Sequence, residues 1–141
     1  MARLESLFAI LTTDKVRKDA KSDSRMRLVF DTGNFKHEFE LGGQPHDERE
    51  PGRTDLYRFR DVPAVEVDDI EPAQFKIVAA GDDAWLPSSI FILGESDGQF
   101  QVLVGIKKWP DEGWFSTQAS DANGRAEKAR LLDRNGTPTT A

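Results

Sequence analysis

The sequence predicts an all-β protein, built as an antiparallel β-sandwich of eight short strands. Apolar and polar residues alternate with a period of two from Leu7 to Ile106, which is typical of strands. Clusters of glycine, proline, asparagine and aspartate separate the alternating runs, as expected for turns. No long stretch shows the period of an amphipathic helix. Many short strands joined by turns are typical of a sandwich.

The first predicted strand is apolar on both of its faces. Leu7, Ala9 and Leu11 occupy one set of alternating positions, and Phe8 and Ile10 occupy the other. A strand that is half-buried carries polar residues on one face. This strand is therefore expected to have apolar neighbours on both sides.

The next two strands form a predicted hairpin. Residues 25–31 and 35–40 both alternate apolar with charged side chains. The segment Asp31-Thr32-Gly33-Asn34 between them consists of residues that favour turns. Residues 42–53 contain prolines, glycines and mixed charges, which predict a loop.

The second half of the chain continues the strand pattern. Further strands are predicted at residues 56–60, 75–79, 89–93 and 99–106, and residues 125–132 favour a last strand or a short helical turn. The Asp97-Gly98 pair between the last two of the four predicts a second hairpin. One domain is expected over residues 1–132, with a flexible tail at 133–141.

Composition excludes several classes of protein. Of the 141 residues 38% are hydrophobic and 31% charged, a balance typical of globular domains. The absence of cysteine excludes disulfides, thiol catalysis and cysteine-ligated metals. A net charge of −6 argues against a general nucleic-acid binder. No apolar run reaches the length of a membrane span, and the first residues do not have the pattern of an export signal, so a cytoplasmic location is expected.

Four sequence features occur in an order and spacing that resemble the PLAT domain family (polycystin, lipoxygenase, alpha-toxin). They are a loop ending Ala20-Lys21-Ser22-Asp23, the turn Arg49-Glu50-Pro51-Gly52-Arg53-Thr54-Asp55-Leu56-Tyr57, the acidic loop Gly81-Asp82-Asp83-Ala84-Trp85-Leu86, and an apolar strand that continues into Trp109. Together they cover roughly residues 6–115. The resemblance implies a β-sandwich that docks on lipid or protein. It also implies a buried Trp85.

The same resemblance implies a calcium site. The family's aspartate at the end of the first loop corresponds to Asp23, and its aspartate before the tryptophan corresponds to Asp82 or Asp83. Asp14 and Asp19 lie in the same first loop, and loop carboxylates are the ligands that calcium prefers. Lys21 replaces the family's usual glycine and places a positive charge beside this site. The alternative is that these aspartates are ordinary turn residues.

Two groups of residues are predicted to contact a membrane or a partner. Residues 15–27 contain six basic and two acidic residues, a local charge of +4 that suits an anionic membrane surface or an acidic partner. The predicted contacts of the first loop are Lys15, Arg17 and Lys18. Those of the final loop are the aromatic residues Trp109, Trp114 and Phe115. The alternatives are a solvated basic loop and aromatic residues that cap the sandwich, with burial favoured for Trp109.

Catalysis is not predicted. The sequence has two histidines, no Gly-x-Ser-x-Gly elbow, no phosphate-binding loop and no dinucleotide fingerprint. We therefore expect a non-catalytic binding module that docks on a membrane, lipid or protein with the assistance of calcium. A metal-independent protein-interaction domain and a carbohydrate-binding β-sandwich are the alternatives, and the sequence leaves the oligomeric state open.

Overall fold

The computed structural model describes residues 2–14, 25–34, 36–42, 52–80, 85, 87–109 and 128–131. Strands dominate these residues, which confirms the predicted all-β class. In chain order the strands are β1 (Ser6–Thr13), β2 (Arg25–Asp31), β3 (Lys36–Glu40), β4 (Thr54–Phe59), β5 (Phe75–Ala80), β6 (Pro87–Ser96), β7 (Gln99–Ile106) and β8 (Lys128–Leu131). Two 3₁₀ turns, Val67–Asp69 and Pro72–Gln74, lie between β4 and β5. In this part of the chain no helix has the length and apolar character needed to cross a bilayer.

The strands form two antiparallel sheets of four strands each, which confirms the eight-stranded sandwich. The first sheet has the order β4-β1-β6-β7, and the second has the order β3-β2-β5-β8. The connections β1–β2, β3–β4, β4–β5, β5–β6 and β7–β8 therefore pass from one sheet to the other. By contrast, β2–β3 and β6–β7 are hairpins within a sheet.

Both predicted hairpins are present, and their turn residues explain them. In the β6–β7 turn, Asp97 and Gly98 have φ values of 53° and 77°. Two successive positive φ values match the twist of the flanking strands, and the Asp-Gly pair accepts them at low cost. In the β2–β3 turn, Gly33 has φ of 90°, and its N–H donates to Asp31 Oδ1 at 2.9 Å.

The core between the sheets consists of the inward-facing apolar residues of the alternating strands. Leu7, Ala9 and Leu11 point inward from β1 and are buried. In the second sheet, the rings of Phe30 and Phe75 stack with centroids 4.7 Å apart. Because each aromatic ring brings a large apolar area, such pairs contribute strongly to core stability.

The structure decides one element that the sequence left open and adds one that was not predicted. Residues 125–132 allowed either a strand or a helical turn, and the structure has a four-residue strand, β8, paired with β5. The 3₁₀ turns between β4 and β5 were not predicted. Residues 2–4 pair with this connection, since Leu4 N donates to Val65 O at 2.8 Å and Val67 N donates to Ala2 O at 2.7 Å. The predicted tail at 133–141 lies outside the described residues.

Trp85 is fully buried with 0% exposure, as the family resemblance implied. It lies two residues before β6 begins at Pro87.

Replacing Trp85 with alanine leaves a large cavity in the core, so we expect Trp85→Ala to lower the free energy of unfolding by ~3–5 kcal/mol. Urea denaturation measures this loss. The control Gln101→Ala alters an exposed side chain and should change stability little. Equal effects of the two variants would contradict the placement of Trp85.

Candidate functional site

Five connections join the two sheets, and four of them, β1–β2, β3–β4, β5–β6 and β7–β8, begin and end at one end of the sandwich, here called the loop end. The fifth, β4–β5, lies at the opposite end, where Phe59 pairs with Leu7 near the start of β1 and Phe75 pairs with Phe30 near the end of β2. Pairing between strand ends demonstrates this. Thr13, the last residue of β1, pairs with Pro87, the first of β6, while Arg25 at the start of β2 pairs with Ala80 at the end of β5. The β1–β2 and β5–β6 connections therefore lie side by side at both of their anchor points.

The other two connections share this end. Leu41, which follows β3, donates its N–H to Met26 O at 3.0 Å, near the start of β2. Lys128 at the start of β8 pairs with Ala79, near the end of β5. The chain thus leaves β3 and enters β8 where β2 begins and β5 ends.

Most of the site residues predicted from sequence belong to these connections. The β1–β2 connection carries Lys15, Arg17, Lys18, Asp19 and Asp23, the β5–β6 connection carries Asp82 and Asp83, and the β7–β8 connection carries Trp114 and Phe115. All nine residues lie outside the described part of the chain. The structure brings the strand ends that flank them together, and their roles stay predictions.

Asp14 is the predicted metal ligand that the structure describes. It directly follows β1 and is half-buried at the loop end. Among the described residues, no group of three or more histidine, aspartate or glutamate side chains is arranged to hold a metal ion. A calcium site would therefore depend on the aspartates of the adjoining connections.

Thr13 joins three of the connections at the loop end. The indole Nε1 of Trp85 donates to Thr13 Oγ1 at 2.9 Å. The N–H of Thr13 donates to Arg53 O, and the N–H of Gly52 donates to Thr13 O, both at 3.0 Å. Because Thr13 and Trp85 are buried, these hydrogen bonds are shielded from competition with water. The base of the loop end is thus a fixed platform.

The turn before β4 has the backbone conformation that its glycine allows. Gly52 has φ of 76°, a region that side chains with a Cβ resist. Asp55 follows within β4, its side chain is 0% exposed, and one of its carboxylate oxygens lies 3.9 Å from Arg53 Nε. This turn is the part of the proposed family motif that the structure describes best.

Trp109 belongs to the core, which corrects its place among the predicted contact residues. It is 3% exposed and packs in the main apolar cluster. Its N–H donates to Ser88 O at 2.8 Å, and Ser88 Oγ donates to Thr12 O at 3.3 Å. Because these bonds hold the end of β7 against β6, the ring of Trp109 covers the sandwich rather than a partner.

The first sheet has an apolar outer face that the sequence analysis did not predict as a site. Its members occupy the outward positions of all four strands and are half-buried or exposed. This outer patch consists of Phe8, Ile10, Leu56, Phe91, Leu93, Phe100 and Val102. Leu56, Phe100 and Val102 are 54%, 60% and 59% exposed. The available sequence signal was that β1 is apolar on both faces.

The polar groups around the outer patch balance one another. Arg58 lies over the ring of Phe8, 5.3 Å from its centroid, and its guanidinium is 3.7 Å from Glu95 Oε1. Glu95 also accepts a hydrogen bond from Ser6. Phe8 and Phe100 meet edge to face with centroids 5.4 Å apart. The patch is therefore apolar, with an ion pair at its margin.

The outer face of the second sheet is charged along β3. Arg27 and Glu38 face outward from paired strands, and their charged groups are 3.1 Å apart. Lys36 and Glu40 extend the charged surface along β3. Nearer the centre of the sheet, Val29 and Val78 occupy outward positions and are buried. The large exposed apolar side chains Leu56, Phe100 and Val102 lie on the first sheet.

A cavity of about 400 Å³ opens at the end opposite to the loop end. Its wall includes Phe30, Val65, Glu66, Asp69 and Gln74. Glu66 Oε2 is buried there without a hydrogen-bond partner among the described residues. The cavity lies at the opposite end of the sandwich from the strand ends that flank the predicted docking residues.

No protein-family model and no curated protein sequence matches this chain. Solved structures do. The alpha-toxin of Clostridium absonum matches with a TM-score of 0.64 and 17% identity, and that of an avian strain of Clostridium perfringens with 0.64 and 21%. Coral 8R-lipoxygenase matches with 0.52 and 16%. The chain has a PLAT-like fold.

The PLAT-like domain corresponds to only part of each of these proteins. The matches cover 91%, 90% and 78% of this chain, but 31%, 31% and 15% of the two toxins and the lipoxygenase. The lipoxygenase is described as activated by calcium through a C2-like domain. At these identities the similarity establishes the fold, and function has to be argued from the residues of this chain.

Gly52 provides a test of the turn at the loop end. A β-branched residue at φ of 76° is strained, so we expect Gly52→Val to lower the free energy of unfolding by ~1–3 kcal/mol. The matched variant Gly52→Asn should lose less, because asparagine tolerates this region. Thermal unfolding of both variants gives the comparison. Equal losses would show that backbone strain is not the cause.

Proposed function

We propose that this chain is a non-catalytic binding module that docks on an anionic lipid surface through its loop end, with calcium bound between the β1–β2 and β5–β6 connections. The pairing of Thr13 with Pro87 and of Arg25 with Ala80 carries this proposal. It makes the two connections that hold the predicted ligands neighbours at both anchor points.

Strand spacing supports a shared site. Neighbouring strands lie about 4.8 Å apart, so each pair of anchor points is separated by roughly that distance. Asp14 follows Thr13 directly, and Asp23 lies two residues before Arg25. Asp82 and Asp83 come within three residues after Ala80. Carboxylates this close in sequence to adjoining anchors are suited to a hard cation, which takes six to eight oxygen ligands.

The basic and aromatic residues of the same end suit a lipid surface. Lys15, Arg17 and Lys18 immediately follow Asp14, and each basic residue near anionic lipid contributes ~1 kcal/mol. Trp114 and Phe115 lie in the β7–β8 connection, which begins and ends at the loop end. Aromatic side chains favour the boundary between headgroups and acyl chains. Calcium would offset the charge of the aspartates and so favour the approach of anionic headgroups.

The platform beneath these connections supports docking without a large rearrangement. Trp85, Thr13 and Gly52 are joined by hydrogen bonds at the base of the loop end. A site supported on fixed strand ends loses less conformational entropy when a ligand binds. The calcium activation described for coral 8R-lipoxygenase through its C2-like domain makes calcium the first ion to test.

Calcium is expected to raise the melting temperature of the full chain. A ligand that binds only the folded state adds ~2.7 kcal/mol of stability at a hundredfold excess over Kd. Asp23→Asn should abolish the rise, whereas Asp97→Asn, at the opposite end of the sandwich, should retain it. Magnesium should act more weakly, because it holds its water ligands and demands octahedral geometry. Differential scanning fluorimetry provides the measurement.

Co-sedimentation with vesicles of phosphatidylcholine and phosphatidylserine tests docking. We expect binding with calcium and its loss with EGTA, because the bridging cation is removed. Trp114→Ala combined with Phe115→Ala should weaken binding, while Phe100→Ala on the outer patch should not. A melting curve that calcium leaves unchanged, together with no vesicle binding, would reject the proposal in favour of a metal-independent interaction domain.

A further inference from the structure

The outer patch covers the middle of the first sheet rather than a loop or an edge. One row across the strands consists of Leu56, Ile10 and Phe91, and the next continues from Phe8 to Leu93 and Val102. Such a continuous apolar face exceeds the isolated exposed apolar residues of an ordinary surface. Patches of this kind mark contact sites.

Polar residues border the patch at both of its ends along the strands. Toward the loop end, Thr12 and Thr54 lie opposite each other, and their hydroxyl oxygens are 2.9 Å apart. Toward the other end, Glu95 pairs with Arg58 at 3.7 Å. An apolar centre inside a polar rim is the arrangement of protein–protein interfaces.

The patch is poorly suited to a membrane. The seven residues of the patch carry no charge, and Arg58 beside them is paired with Glu95, so the patch itself gains no attraction to anionic lipid. In addition, β4 and β7 are the edge strands of this sheet. A sheet lying flat in hydrocarbon would place the unpaired N–H and C=O groups of these edges away from water, at a large cost.

We propose that the outer patch binds a second copy of this chain, forming a two-fold dimer in which the first sheets pack face to face. In a two-fold interface the same patch meets itself. A patch with a net charge would repel its copy, whereas this patch is neutral. Apolar sheet faces pack about 10 Å apart, with their side chains interdigitated.

The available area is compatible with a dimer of modest affinity. Four strands at about 4.8 Å spacing and about six residues at 3.4 Å rise give a face of roughly 20 Å by 20 Å. Because side chains make the accessible surface larger than its projection, two such faces bury on the order of 1,000 Å². That value is near the lower limit for specific interfaces, so the dimer is expected to dissociate on dilution.

This inference is independent of the proposed function, because the outer patch contains none of the predicted calcium or lipid contacts. The dimer should therefore persist in EGTA. It should also persist at high salt, since exposed charges are screened while apolar contacts are not weakened. If the chain does not dimerise, the expected calcium and vesicle results are unchanged. If it binds neither calcium nor vesicles, the expected dimer is likewise unchanged.

Sedimentation velocity of the full chain, from about 1 μM to about 500 μM, tests the proposal. The wild type should pass from the mass of one chain to that of two. Phe100→Lys and, separately, Leu56→Lys should raise the dissociation constant at least about tenfold, because each buries an unpaired charge in the interface. Both residues are more than half exposed, so the variants are expected to fold, and circular dichroism with a melting curve verifies this.

Gln101→Lys is the matched control. It lies beside Phe100 on β7, adds the same charge, and is exposed at a position that pairs with Gly94, outside the patch. This variant should dimerise like the wild type. A wild type that stays monomeric over the whole range would overturn the proposal, as would dimers of Phe100→Lys and Leu56→Lys with unchanged affinity.

Discussion

A hydrogen bond between two buried side chains, Trp85 Nε1 and Thr13 Oγ1, supports the rest of the structure. Trp85 lies in the β5–β6 connection, and Thr13 ends β1 in the first sheet. The backbone of Thr13 is bonded in turn to Gly52 and Arg53, which lead into β4. Thr13 thus fixes the meeting point of three segments: the end of β1, the β5–β6 connection and the residues that lead into β4. A buried indole N–H that lost this partner would carry a desolvation cost.

Around the platform that this hydrogen bond fixes, the molecule has regions with different chemistry. The loop end gathers four of the five connections between the sheets and with them most of the charged and aromatic residues expected to bind ligands. The outer patch is an apolar face of the first sheet, whereas charged residues lie along β3 on the outer face of the second sheet. Because the scaffold between these regions is a packed core, binding at one region need not deform another. A single small domain thereby presents two distinct surfaces.

The strands were predictable because the alternation of apolar and polar residues shows which face of each strand is buried. Leu28 and Phe30 face the core and Arg27 faces solvent, so β2 could be located from its residues alone. The Asp97-Gly98 turn was equally clear, since positive φ values restrict the residues that can serve there. Burial of Trp85 followed from a family resemblance rather than from periodicity.

Other features depend on tertiary placement that no local pattern contains. The short strand β8 has its conformation because it pairs with β5 across a distant connection. The outer patch requires knowing which strands are neighbours, since Phe8, Leu93 and Val102 are far apart in sequence and adjacent only in the sheet. For Trp109 the sequence favoured burial over contact with a partner, and its 3% exposure in the core cluster decides in favour of the core. For the ligand residues of the loop end, the sequence gives the candidates and the strand register gives the location.

The irregular pairing of β6 with β7 has a consequence for solubility. Ile92 pairs with Val104, whereas the next residue, Leu93, pairs with Val102, so Leu103 is an extra residue in β7. β7 is an edge strand with apolar side chains and no charged residue, a combination prone to adding further strands into fibrils. A bulge twists the edge and interrupts the regular spacing of its outward N–H and C=O groups. The extra residue thus protects the chain against edge-to-edge aggregation, a task that charges or prolines perform in many other sheets.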